Sequence, residues 1–140
     1  MKRSTATIIA IAVALAVPAL AFASTVLHGP AGTGPHASVD VQFNSKHGHP
    51  TKITRFDFNN IPAACIGSGA TAVSDTLSHS VLVASDGTFH ATEKLRAGRT
   101  TYAVSGRFSS LKKATGHLRI KGTVPGCPSA DSGRVHWKAT

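Results

Sequence analysis

His47-Gly48-His49 sets two imidazoles one residue apart, and His79 and His90 could approach them in space. Neutral imidazoles suit Zn²⁺ or Cu²⁺. The same stretch, with Gly48 and Pro50 interleaved, also reads as an exposed turn. No carboxylate or cysteine completes the set at ligand spacing. His47 and His49 therefore stand as weak metal candidates, and the sequence calls for no metal or other cofactor.

Nucleophilic and acid–base chemistry find less support. Ala130-Asp131-Ser132-Gly133 faintly resembles the nucleophile loop of trypsin-like serine proteases, with Ala130 where that loop has glycine. The chain is too short for their double barrel, and no upstream histidine sits in a matching context. A Ser/Asp/Gly turn before the last strand accounts for these residues. Hydrolysis by paired carboxylates needs two placed acids. Asp86 and Asp131 fall in turns, while Asp40 and Asp57 lie on outward phases of neighbouring strands and could meet. There is no Gly-x-Ser-x-Gly, phosphate loop or dinucleotide fingerprint. The expectation is a protein without catalytic residues.

A third pattern is electrostatic. His117, Arg119 and Lys121 alternate with Leu118 and Ile120, and Arg134, His136 and Lys138 alternate with Val135 and Trp137. If the two strands share a sheet, six basic or titratable groups line one face. Such a face attracts polyanions through screened, salt-sensitive forces, and its histidines gain charge as pH falls. The competing reading is a solvated edge that uses lysine and arginine to deter aggregation.

The elements that must carry these groups begin after an address label. Lys2 and Arg3 precede an apolar run from Ala6 to Ala16, broken only by Thr7. Pro18 then leads to Ala21-Phe22-Ala23. This predicts a Sec signal peptide over 1–23, cleaved between Ala23 and Ser24. An uncleaved anchor is the competing reading, and Pro18 with the small residues favours removal. No later segment is long enough to span a membrane. The 140-residue chain has 15 Lys+Arg against 6 Asp+Glu, and losing Lys2 and Arg3 takes the net charge from +9 to +7.

Cys65 and Cys127 are the only cysteines, and an exported chain meets an oxidising compartment. A bridge between them is expected, closing a long loop worth about 4 kcal/mol. Residues 24–37, rich in glycine and proline, read as a flexible leader. From 38 to 140 the apolar residues recur with period two. Seven strands are expected, near 38–44, 51–58, 74–84, 87–95, 100–108, 115–122 and 133–139. A short helix fits only 59–66 or 109–114. The predicted fold is all-β: a single antiparallel β-sandwich of immunoglobulin-like size with one disulfide, the alternative being a small β-barrel.

Phe43, Phe56, Phe58, Phe89, Tyr102, Phe108 and Trp137 all fall in the apolar phase of their strands. After the expected cleavage at Ala23, no aromatic is left over as an exposed stacking platform, which argues against single-strand nucleic-acid and sugar binding.

Gly87-Thr88-Phe89, Gly106-Arg107-Phe108, Ala114-Thr115-Gly116-His117-Leu118, Cys127-Pro128-Ser129 and Trp137-Lys138-Ala139 form a further pattern. It resembles the G-x-F … G-x-F … A-x-G-x-L … C … W-x-A layout of small exported all-β bacterial proteins. The resemblance covers about 87–139. This chain departs from it where Ala130-Asp131-Ser132 lengthens the connection to Trp137. It implies the fold, the disulfide and export, and carries over no catalytic residue.

The sequence thus leads to an exported, non-enzymatic binding or envelope-associated module. It would be secreted, periplasmic or held in the cell envelope, with an anionic envelope polymer or an acidic protein as partner and no specific nucleic acid. The alternatives are a metal-binding protein or metal-dependent enzyme using His47 and His49, and an inhibitor of a secreted hydrolase presenting a loop such as 59–70.

Overall fold

The computed structural model describes residues 23–140. The expected signal peptide lies outside the described residues except for Ala23. Ten strands follow: β1 (Ala23–Pro30), β2 (Ser38–Lys46), β3 (His49–Cys65), β4 (Gly69–Leu77), β5 (Val81–Leu82), β6 (Thr88–Leu95), β7 (Thr100–Ser110), β8 (Lys113–Val124), β9 (Cys127–Asp131) and β10 (Val135–Ala139). All belong to one antiparallel sheet of order β1-β2-β3-β9-β8-β7-β6, with β10 paired to β8, and β4 and β5 paired to β3.

The sheet curls far enough for its halves to meet at two seams. At one, β3 pairs β9 through Ala64–Asp131 and Cys65–Ala130, beside the Cys65–Cys127 disulfide. At the other, Ala31 bridges Trp137, the Gly32 N–H donates to the His136 carbonyl, and the Thr140 N–H donates to that of His28. The sheet does not close, because β5 and β6 remain unpaired with each other.

Period two does most of the local work. Val39, Val41 and Phe43 of β2 are buried, as are Tyr102, Val104 and Phe108 of β7, and Leu118 and Ile120 of β8. The seven aromatics from Phe43 to Trp137 are all buried, as their phase predicted. Rings meet across the core from opposite halves of the sheet: Phe43 to Phe108 at 4.7 Å, Phe58 to Tyr102 at 5.1 Å and Phe56 to Trp137 at 5.4 Å. The turns follow their residues. His47 and Gly48, both at positive φ, make the two-residue connection between β2 and β3. Pro125-Gly126 turns β8 into β9, with Gly126 at φ 74.

Four expectations change. First, residues 24–37 are not a flexible leader. They contain β1, which pairs β2 along its whole length, and Leu27, Ala31 and Ala37 are buried. The glycine that suggested flexibility is a packing requirement: a Cβ on Gly29 would collide with the Lys138 backbone carbonyl of β10. Second, 59–66 is not helical. β3 runs on to Cys65 through an irregularity between Phe58 and Ile61, with Asn60 at φ 52. The bulge switches the inward set from Phe56 and Phe58 to Ile61, Ala63 and Cys65. The segment 109–114 holds the short β7–β8 turn instead of a helix.

Third, β9 was not expected. Ala130 and Asp131, expected in the turn before the last strand, lie instead on a five-residue strand whose buried residues are Cys127 and Ala130 and on which Pro128 is exposed. Finally, the predicted strand 74–84 is broken at Ser78–Ser80 into β4 and β5. No helix of the described residues is long and apolar enough to cross a membrane.

Candidate functional site

The condition set by the alternating basic residues is met. β8 and β10 are neighbours, with His117 opposite His136 and Thr115 opposite Lys138. The His117 and His136 rings meet edge to face at 5.3 Å. Arg134 Nη2 donates to His117 Nδ1 at 3.3 Å, so that nitrogen carries no proton in this arrangement. The His117 pKa is pushed down, first by burial and then by the positive charge of Arg134 and by His136. Stability follows in sign. The unfolded chain takes up this proton more readily, so His117 favours the folded state less as pH falls through the window below 6.5.

The six expected residues do not act alike. Arg119 grips Asp131 with two bonds, Nε to Oδ1 at 3.2 Å and Nη2 to Oδ2 at 2.7 Å. The Arg119 guanidinium, helped by the Gly133 N–H, holds the Asp131 carboxyl below the usual carboxylate range. Lys121 stands directly opposite Asp131 across β8 and β9. One carboxylate thus offsets this end of the face. His117, Arg134, His136 and Lys138 carry the unbalanced part.

The face is wider than two strands. The cross-strand row His90–Ser105–His117–His136 runs over β6, β7, β8 and β10. Next to it runs Thr88–Arg107–Thr115–Lys138. Ala103 and Ser105 are the small outward residues of β7, and above them lies a shallow depression of about 360 Å³, walled by His90, Thr92, His117, Arg119 and Arg134. Sequence reasoning missed the roles of His90, Ala103 and Ser105. The signal was present as two small outward residues on β7, but only the register sets them between the histidines.

The other candidates are dispersed. His47 and His49 are exposed at the β2–β3 turn, and His49 borders a hollow with Arg107 and Asp86. His79 instead stands by Glu93, with Nδ1 at 2.9 Å from Oε1. Among the described residues no group of three or more His, Cys, Asp or Glu is placed to hold a metal ion. The Ser132 hydroxyl is occupied structurally: Oγ accepts the Ile120 N–H at 2.8 Å and donates to the Gly133 carbonyl at 2.9 Å.

Asp40 and Asp57 do face each other on β2 and β3. His28 holds Asp40 at 2.5 Å, while Arg55 and the Thr76 hydroxyl hold Asp57. The segment 59–70 is a β-hairpin, with Ile66 76% exposed at its tip beside the disulfide.

Compared with known proteins, the chain matches no protein-family model, no curated protein and no solved structure.

Proposed function

We propose that this chain is an exported, non-catalytic binding module whose basic face takes an anionic envelope polymer or an acidic protein surface. Its sheet is read as folded over in the manner of a β-sandwich, which the aromatic pairs between opposite halves support. The observation that carries the functional reading is the cluster of His117, Arg134 and His136 beside Lys138 and the depression under His90. β7 to β10 contain one acidic side chain, Asp131, and it is spent on Arg119.

Elution from a heparin matrix tests the reading. Arg134→Ala/Lys138→Ala is expected to elute at clearly lower salt than wild type, with the salt slope of binding reduced by about 2. Lys46→Ala/Lys52→Ala removes the same charge from β2 and β3 and controls for net charge. Identical elution of the two double variants would remove the basic face as the site. Retention is also expected to rise as pH falls below 6.5, where His117, its pKa pushed down by burial and by Arg134, gains its proton. His117→Ala should flatten that rise.

Export has its own check. Mass spectrometry of protein recovered outside the cytoplasm is expected to give Ser24 as the first residue. A product retaining residues 1–23 would contradict cleavage.

A further inference from the structure

The basic face has a direction. Thr101, Ala103 and Ser105, the outward residues of β7, are short and half-buried. Lys94, Thr92 and His90 of β6 stand exposed on one side of them, each opposite its β7 partner. Lys121, Arg119 and His117 of β8 stand opposite the same three residues on the other side. The longer side chains therefore flank a channel along β7, and the depression of about 360 Å³ is its middle. Arg134 lines that depression from beyond β8. None of these residues is acidic, and Asp131 of β9 is bound by Arg119.

The register gives the channel its dimensions. Two strands separated by a third lie about 10 Å apart, so the channel takes a single polymer chain and no duplex. Both ladders of β7 run without a register shift from Thr100 to Arg107. The wall residues thus recur every second position, at steps of about 6.6 Å, and Thr101 to Arg107 spans about 20 Å.

The same ladders select the kind of chain. β7 spends its backbone N–H and C=O groups on β6 and β8, so the channel floor offers no main-chain partner. A peptide laid there would lose water from its amides without replacing those hydrogen bonds. Glycans and single-stranded nucleic acids carry rings that gain affinity by stacking, and the aromatics from Phe43 to Trp137 are all buried. A polyanion with neither amides nor rings meets neither obstacle. A three-carbon polyol phosphodiester has six backbone bonds per repeat, as many as two residues of peptide, and so advances about 7 Å when extended. Its phosphates fall in step with the walls of the channel.

We infer that the channel along β7 binds a linear polyol phosphodiester, with one phosphate for every two residues of β7 and donors reaching it from β6 and β8. The inference rests on the basic face being the binding surface, and it adds which polyanion that surface takes and how the chain lies on it. Lys94 and Lys121 flank the phosphate over Thr101. His90 and His117 flank the phosphate over Ser105. The His117 Nδ1 accepts from Arg134, which leaves its Nε2–H as the donor. The Ser105 and Thr92 hydroxyls suit the free hydroxyls of the polyol.

Fluorescence anisotropy with an end-labelled glycerol phosphodiester oligomer is the test. Poly-L-glutamate, polygalacturonate and oligothymidylate of matched charge number compete at one ionic strength. The phosphodiester is expected to bind at least about tenfold more tightly than each competitor. Ala103→Leu fills the channel and leaves every charge in place, and it should weaken binding at least about tenfold. Lys94→Ala, on the β6 wall, should weaken it several-fold. On wild-type protein, titration with the unlabelled oligomer should shift the amide NMR signals of Lys94, Thr101, Ala103 and Ser105.

Equal or tighter binding of any competitor would overturn the phosphodiester as ligand. Shifts confined to β10, or full binding by both Ala103→Leu and Lys94→Ala, would overturn the channel. If Arg134→Ala/Lys138→Ala alone weakens binding, the basic face stands and the channel falls. If no variant weakens it, both readings fall.

Discussion

Gly116→Ala is expected to destabilise the fold by about 3 kcal/mol, and Trp137→Ala by about 4 kcal/mol. Gly106 of β7, Gly116 of β8 and Trp137 of β10 form one cross-strand row. A Cβ on Gly116 would stand 2.6 Å from Trp137 Cζ2 and 2.7 Å from Gly106 Cα, and would collide with the Ser105 carbonyl. Two of those neighbours are backbone and cannot turn aside, so alanine must push β8 away from β7. A Cβ on Gly106 would stand 2.8 Å from the same atom of the indole.

The two glycines thus make the space in which the ring lies, and the ring packs in turn against Phe56 and Phe89, at 5.4 and 6.1 Å. Trp137 Nε1 is buried with no hydrogen-bond partner among the described residues. Trp137→Phe drops that donor and is expected to cost less than its loss of volume suggests, about 1–2 kcal/mol. Urea unfolding followed by circular dichroism measures all three. Gly116→Ala within about 0.5 kcal/mol of wild type would contradict the packing account.

Removing the Cys65–Cys127 disulfide is expected to cost about 4 kcal/mol, because the bridge closes a loop across 62 positions. For a domain of this size that is a fall in melting temperature of about 15 °C. The position of the bridge adds a local consequence. β3 and β9 share two residue pairs, the narrowest ladder on the path through the sheet, joined there by the Ile66 N–H donating to the Ser129 carbonyl. The disulfide fastens that seam. Cys65→Ala/Cys127→Ala should therefore speed amide exchange in β9 and the end of β3 before it affects β7 and β8. Uniform acceleration across all strands would mean that the bridge acts on the unfolded chain alone.

Much of the fold was legible because period-two alternation depends only on neighbouring residues. Val39-Val41-Phe43 and Leu118-Ile120 announce buried faces wherever the strands are placed. The basic alternation of 117–121 and 134–138 was legible for the same reason. Its electrostatics were not. Arg119 and Arg134 look equivalent along the chain, yet Asp131 pairs with the first and His117 receives the second. β1 escaped notice because its inward positions include Gly29, a residue chosen to admit the backbone of β10 from more than a hundred positions away. The end of β3 escaped because a bulge at Asn59-Asn60 reverses the phase on which the alternation rule relies.

By itself the sequence determined what is local or compositional: an all-β chain, the inward direction of the aromatics from Phe43 to Trp137, the one available cysteine pair and the cationic excess. Tertiary structure decided which residues become neighbours. It set His90 in a row with His117 and His136, and laid Trp137 over two glycines of other strands. The physical reason is that strand register is a long-range choice. Side-chain phase is written into each segment, whereas pairing depends on the closure of the whole sheet.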